Sequence, residues 1–177
     1  MTQLHTEHIL LRPWREEEAA IMFRWAQNPN VGPIAGWREH HSVEESREII
    51  RTVFSAPETY AIVLRSTGEP IGSAAIKSGE GVSPSLRKFG DAELGYWLAE
   101  PFWGQGLTTE AVRLLISRAF GELGYKRLWC GYYEGNIRSC RVMEKCGFRY
   151  HHTEYNKPTL LGDTRTEHFM VLHAEEQ

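Results

Sequence analysis

Residues 102–111 read Phe-Trp-Gly-Gln-Gly-Leu-Thr-Thr-Glu-Ala and join a run of strand character ending near Ala99 to a helix with one apolar face. No other stretch constrains the fold as tightly. Two glycines in a strand-to-helix turn let the backbone approach a ligand closely, and the first N–H groups of a helix have no partner inside it. Such a turn is a cradle for an anion, and its natural guest is the phosphate or diphosphate of a nucleotide-bearing cofactor. A plain tight turn with Thr108 or Thr109 as the helix cap would read the same over ten residues, so the rest of the chain has to decide.

The flanking periodicities build one domain around that turn. Val112, Leu115, Ile116, Ala119, Phe120 and Leu123 recur at the three-and-four spacing of one helix face, with Gly124 placed to end it. His8 to Trp14 reads as a strand, Arg15 to Gln27 as a helix opening on three glutamates, and Asn28 to Trp37 as a loop rich in Pro, Gly and Asn. Ser42 with Glu45 predicts a capped helix to about Phe54. Tyr60 to Arg65 and Pro70 to Lys77 flank the turn Ser66-Thr-Gly-Glu69 as an antiparallel hairpin, and Ser78 to Gly90 reads as a long exposed loop. Asp91 to Glu100 and Arg127 to Tyr133 are further strands. Asn136 to Cys146 is a short helix closed by Gly147, and Phe148 to Tyr155 and Arg165 to His173 are closing strands. The expectation is a single mixed α/β (α+β) domain over residues 1–177, with about four helices on a sheet of about seven strands, of which only the central βαβ unit needs parallel pairing.

Bulk properties exclude several function classes. A chain of 177 residues, 41% hydrophobic, is long enough for one sizeable core. Its net charge of -3, with Lys and Arg dispersed, argues against nucleic-acid binding. The start of the chain lacks a basic segment followed by an apolar run, and no run approaches the roughly 20 apolar residues of a membrane span, so a soluble cytoplasmic protein is expected. Cys130, Cys140 and Cys146 have no C-x-x-C spacing and read as buried thiols. His40-His41 and His151-His152 lack the spacing of a metal site, and neighbours along a strand should diverge, so no metal is expected. No G-x-x-x-x-G-K-[ST] and no G-x-G-x-x-G with a downstream acid is present, which argues against the common mononucleotide and dinucleotide phosphate loops.

Three separated signals, Ala92-Glu-Leu-Gly-Tyr-Trp-Leu98, Trp103-Gly-Gln-Gly-Leu-Thr-Thr-Glu-Ala111 and Asn136-Ile-Arg-Ser-Cys-Arg-Val-Met-Glu-Lys-Cys-Gly-Phe148, stand in the order and spacing of the GNAT (Gcn5-related N-acetyltransferase) superfamily. The chain resembles most the branch that includes the RimJ/RimL-like ribosomal-protein N-terminal acetyltransferases, whose chains also carry a Gly-Trp loop like Gly36-Trp37. The resemblance covers nearly the whole chain. It implies a splayed parallel strand pair, acetyl-CoA as cosubstrate and direct transfer of its acetyl group to an amine acceptor. The first acceptor it suggests is a peptide N-terminus, and the second is a small amine such as an amino acid, polyamine or aminoglycoside. The diphosphate loop of the family maps onto Trp103, Gly104, Gln105, Gly106, Leu107 and Thr108, with Thr109 beside it. Trp103 stands where the family has Gln or Arg, and Thr108 where it has Gly or Ala.

By the same resemblance, Leu98 and Ala99 offer backbone groups to the pantetheine arm, and a Leu98 N–H facing the thioester oxygen would stabilise the charge that develops there. An ammonium must lose its proton before it attacks, which calls for a carboxylate, and Glu93 is the candidate base. Asn136 could bond the pantetheine amide while capping its helix, and Ser139 resembles the residue that protonates the departing thiolate. Tyr132 or Tyr133, on alternate faces of one strand, is an alternative acid. Trp37 and Tyr96 are candidate walls of the acceptor pocket. A CoA-sensing or partner-binding module without catalysis is the competing class, and the acidic Glu93 speaks for an enzyme. Exposed strand edges near the C-terminal end make a homodimer possible.

Overall fold

The computed structural model describes residues 3–87 and 91–176. Among these, the strands are β1 (Leu4–His5), β2 (Ile9–Arg12), β3 (Thr59–Leu64), β4 (Glu69–Lys77), β5 (Ala92–Leu98), β6 (Arg127–Tyr133), β7 (Arg149–Pro158) and β8 (Thr164–His173). They form one sheet in the order β1-β2-β3-β4-β5-β6-β8-β7, antiparallel except for β5 and β6. The helices are α1 (Ala19–Ala26), α2 (Val43–Thr52), α3 (Leu107–Ser117) and α4 (Ile137–Lys145).

Strict alternation along the strands sorts the side chains onto two faces. Ile9, Leu11, Tyr60, Ile62, Leu128 and Met170 point to one face, where α3 and α4 cover them with Val112, Leu115 and Met143. Ala61 and Val63 point to the other, under Met22, Ala26 and Ile50 of α1 and α2. Each large apolar side chain hidden this way stabilises the fold by roughly 1.5–3 kcal/mol, so the three-and-four pattern of α3 is sufficient to dock it. Ser42 Oγ accepts the Glu45 N–H at 3.0 Å and starts α2 as the capping pattern predicts.

Several expectations are corrected. The sheet has eight strands, because Leu4 and His5 pair with Leu11 and Leu10. The helix expected from Arg15 opens as a 3-10 turn over Glu16–Glu18. There Glu18 is buried against the Arg12 guanidinium, which grips both of its carboxylate oxygens. α3 ends at Ser117 and widens into a π turn over Arg118–Glu122 before Gly124, at φ +73°, turns the chain. The loop after Lys77 is not simply exposed. Val82 and Leu86 are 3% and 0% exposed, covering Trp129, Phe169 and Val171 on the second face; residues 88–90 of that loop lie outside the described residues. His151 and His152 do not diverge, because a register shift between Tyr150 and His152 breaks the alternation and brings their Nδ1 atoms to 2.9 Å. Cys130 and Cys146 are buried, whereas Cys140 is only half-buried against the main core.

Candidate active site

The site follows from the short pairing of the two parallel strands. β5 and β6 share only three register positions, Ala92 with Leu128, Glu93 with Trp129 and Leu94 with Cys130. Beyond Leu94, β5 stays with β4 as far as Gly72 opposite Leu98, and β6 stays with β8 as far as Tyr133 opposite Glu167. The two strands therefore part and leave a wedge. Ala99 donates its N–H to the Ile71 carbonyl at 2.8 Å, so the ladder alternation turns the backbone groups of Tyr96 and Leu98 the other way, into the wedge. The Leu98 carbonyl accepts the Trp103 indole N–H at 2.7 Å, which ties the glycine turn to the end of β5.

One cavity, of about 380 Å³, lies on the α3 and α4 side of the wedge. Gly104 and Gly106 have φ of +74° and +80°, left-handed values that disfavour side chains, and a Cβ built on either would meet open space. Gly106 is the N-cap of α3 and no side chain caps it, whereas Ser42 and Asn136 cap α2 and α4. Thr108 and Thr109 thus do not fill the capping role, and the N–H groups at the start of α3 remain available to a ligand. Asn136 Oδ1 accepts the Ser139 N–H at 3.3 Å. Arg138, Arg141 and Lys145 of α4 line the cavity, and no Asp or Glu does. Uncapped N–H groups, open glycines and cations without carboxylates fit a diphosphate and further phosphate. Leu98, Trp103, Gly104, Gly106, Leu107, Thr108 and Thr109 line this cavity. Ala99 and Gln105 are not among its lining residues: Ala99 is fully buried, and Gln105 turns its amide to the Pro101 carbonyl at 3.1 Å.

A second cavity, of about 710 Å³, opens on the opposite side. Tyr96, Trp97, Asn136 and Ser139 line both, so the two meet at the wedge. There the Tyr96 hydroxyl lies 3.0 Å from Ser139 Oγ, within reach also of the Ser139 carbonyl at 3.2 Å. Burial pushes the Tyr96 phenol well above its usual range, which keeps it a neutral hydrogen-bond donor. Trp37 stands in the second cavity, edge-on to Trp97 with ring centroids 5.9 Å apart. Tyr132 is pushed up to about 12 by burial and by Cys140, and Tyr133 lies under the Arg165 guanidinium, against Gly36.

Glu93, 3% exposed, lines the second cavity with both oxygens engaged: Lys77 Nζ donates to one at 2.8 Å and the Ser83 N–H to the other at 2.6 Å. The sequence reading missed a second carboxylate. Glu167 lies on Gly131, so close that a Cβ there would stand 2.6 Å from its Oε1. Lys157 Nζ is 3.4 Å away and is shared with Glu154. Burial raises the Glu167 pKa above the usual carboxylate range; Lys157 opposes the shift and the Glu93 charge adds to it. Glu167 carries no motif, and the one signal for it is that it shares strand parity with Phe169 and Val171. Burial also raises the thiols of Cys130, to about 12, and Cys146, as expected of inert packing residues. Among the described residues, no group of three or more His, Cys, Asp or Glu is arranged to hold a metal ion, and no helix is long and apolar enough to cross a membrane.

Comparison with known proteins converges on one family. The family model described as "Acetyltransferase (GNAT) domain" matches residues 8–149. The N-acetyltransferase p20 of Bacillus licheniformis, itself uncharacterised, is 25% identical over 154 residues, covering 84% of this chain and 83% of that protein. The structure of Mycobacterium smegmatis RimJ in complex with CoA-disulfide superposes with a TM-score of 0.75 at 25% identity, covering 95% of this chain and 83% of that one. The ribosomal-protein-S5-alanine acetyltransferase of Vibrio fischeri shares the fold, with a TM-score of 0.77 at 15% identity over 99% of this chain and 98% of that one. With its parted parallel strands and glycine cradle, the chain belongs to the GNAT acetyltransferase family and is an acetyl-CoA-dependent N-acetyltransferase.

Proposed function

We propose that this enzyme moves the acetyl group of acetyl-CoA directly onto the free amino terminus of a peptide or protein, in a ternary complex. The observation that carries the reading is the meeting of two cavities at Tyr96 and Ser139, one side lined by cations and by no carboxylate, the other lined by the buried Glu93 and the half-buried Glu167. The Gly104 to Thr109 backbone and the start of α3 receive the diphosphate, and the wedge beside Leu98 takes the pantetheine arm, near Asn136. The Leu98 N–H is aimed to stabilise charge on the thioester oxygen. An amine entering from the other side arrives protonated. The carboxylate pair relieves it of that proton: Glu93 is held in place by Lys77 and Ser83, and burial raises the proton affinity of Glu167, the direction that favours a base. Ser139, backed by the Tyr96 hydroxyl, protonates the leaving thiolate. The peptide acceptor draws support from the ribosomal-protein substrate in the name of the Vibrio fischeri neighbour, and from an acceptor cavity with room and aromatic walls for residues behind the amine.

Calorimetric titration with acetyl-CoA, then release of free thiol against peptides with free and blocked amino termini, amino acids and polyamines, tests the reading. Turnover confined to free amino termini is expected. Turnover of small amines alone would transfer the assignment to that class, and binding without any turnover would point to a non-catalytic module.

A further inference from the structure

We propose that Lys157, turned onto the second face of the sheet by a bulge in β7, is the positioning residue that supplies the counter-charge of Glu167 in the acceptor cavity; the inference rests on the reading of the carboxylate pair as the base. Glu154 stands opposite Glu167 and Lys157 opposite Arg165, so Tyr155 and Asn156 together face Thr166 alone. In an unbroken strand Glu154 and Lys157, an odd number of residues apart, would point to opposite faces. The extra residue brings both onto the face that carries Glu167 and Phe169. There Lys157 Nζ lies 2.6 Å from Glu154, 3.4 Å from Glu167 and 5.0 Å from the centroid of the Phe169 ring. Asn156 takes a φ of +54° within the bulge, a left-handed value that a residue with a side chain seldom adopts, and bulges beside active sites serve to re-aim side chains.

Directly opposed carboxylates repel, and Lys157 answers both with one charge. Lys157 and Glu167 line the acceptor cavity; Glu154 does not, and its other oxygen is engaged by His152 Nε2 at 3.2 Å. Of the remaining charged groups that line the cavity, Lys77 is held by Glu93 at 2.8 Å, and Arg38 and Glu45 stand on the α1–α2 loop and on α2. Arg165, beside Lys157, is held by Asp163. The Cys130 thiol and the Tyr133 phenol of β6 also act on this corner, and burial raises both, which keeps them neutral near neutral pH. Among the described residues, Lys157 is therefore the one cation paired with Glu167, and it opposes the effect of burial there. A cation so placed favours the ionised carboxylate, the form that can take a proton from an ammonium.

The test is NMR titration of the Glu167 carboxyl carbon in the full chain labelled at glutamate, with Glu167→Gln to assign the signal, beside the pH profile of kcat/KM for the acceptor identified by thiol release. Lys157→Met should raise the Glu167 pKa by about one to three pH units and carry the acidic limb of the profile up with it. Lys157→Arg should restore most of both. Asn156 is exposed and touches neither carboxylate, so it tests the bulge alone. Asn156→Val, a β-branched residue that resists a left-handed φ, should move the Glu167 titration in the same direction as Lys157→Met, while Asn156→Gly should leave it in place. An unmoved titration in Lys157→Met overturns the inference, and an unmoved one in Asn156→Val overturns the part given to the bulge. A titration that moves while the acidic limb stays where it was would instead overturn the reading of Glu167 as the base beneath it.

Discussion

At the scale of single residues, Glu167 is pulled two ways. Its burial raises the proton affinity that suits a base, and the same burial makes the ionised form costly to the fold. Because its folded pKa lies above the unfolded value, the stability it contributes is complete below the ordinary glutamate pKa and is lost as pH rises through the folded one. Glu167→Gln should therefore raise the melting temperature at neutral pH and leave it nearly unchanged near pH 3, well below the ordinary glutamate pKa, where the proton is bound in both states. A melting temperature lowered at neutral pH would mean that the Lys157 contact outweighs burial. In kinetics, Glu167→Gln and Glu93→Gln should both lower kcat, by about a hundredfold or more for the group that takes the proton. The acidic limb of the pH–rate profile should vanish in Glu167→Gln and persist at reduced height in Glu93→Gln; the opposite pattern assigns the proton to Glu93. Glu93 and Ser139 were legible from sequence because each lies inside a motif. Glu167 was not, since its value depends on β8 lying beside β6, and a strand order that departs from chain order leaves no trace in local periodicity.

At the scale of elements, the glycine turn shows why its motif was readable and α3 only partly so. Left-handed φ angles at Gly104 and Gly106 are demands that few residues meet, so the chain has to declare them. The π turn after Ser117 imposes no such demand, because Ala119 and Phe120 keep facing the core through it. In the loop after Lys77, Val82 and Leu86 are two apolar residues without a period, and their burial becomes visible only once Trp129 and Phe169 are known to lie beneath them. Gly106→Glu tests the turn itself. Open space around the added Cβ lets the fold survive at the strain of a side chain in the left-handed region, about 1–2 kcal/mol, while the carboxylate faces the start of α3 where a phosphate would sit. Loss of CoA binding by calorimetry, with a cooperative melt retained, is the expected result. A variant that binds CoA as before would remove the turn from the cofactor site.

At the scale of the whole molecule, two segments remote in sequence meet beside one cavity. The tip of the β7–β8 hairpin reaches the loop between α1 and α2, where Leu160 donates its N–H to the Gly36 carbonyl at 3.1 Å and Arg165 donates to the Pro33 carbonyl at 2.6 Å. Arg165 is also held by Asp163 at 2.9 Å and lies over the Tyr133 ring, with its guanidinium carbon 5.5 Å from the centroid. Gly36 has no room for a side chain, since a Cβ there would stand 2.5 Å from the same ring, and its φ of +86° is left-handed. The two segments thus lock around Tyr133, beside the second cavity. Arg165→Ala removes two hydrogen bonds and one stacked cation from this lock; Arg165 does not itself line the first cavity, although Ile34 and Ala35 of the loop it holds do. At about 1 kcal/mol for each net hydrogen bond, the lock loosens enough to cost the acceptor roughly tenfold in affinity. Steady-state kinetics on the acceptor identified by thiol release should show KM for that acceptor rising about tenfold while CoA affinity by calorimetry stays as it was. A parallel loss of CoA affinity would show that the hairpin supports the whole wedge between β5 and β6 and not the acceptor wall alone.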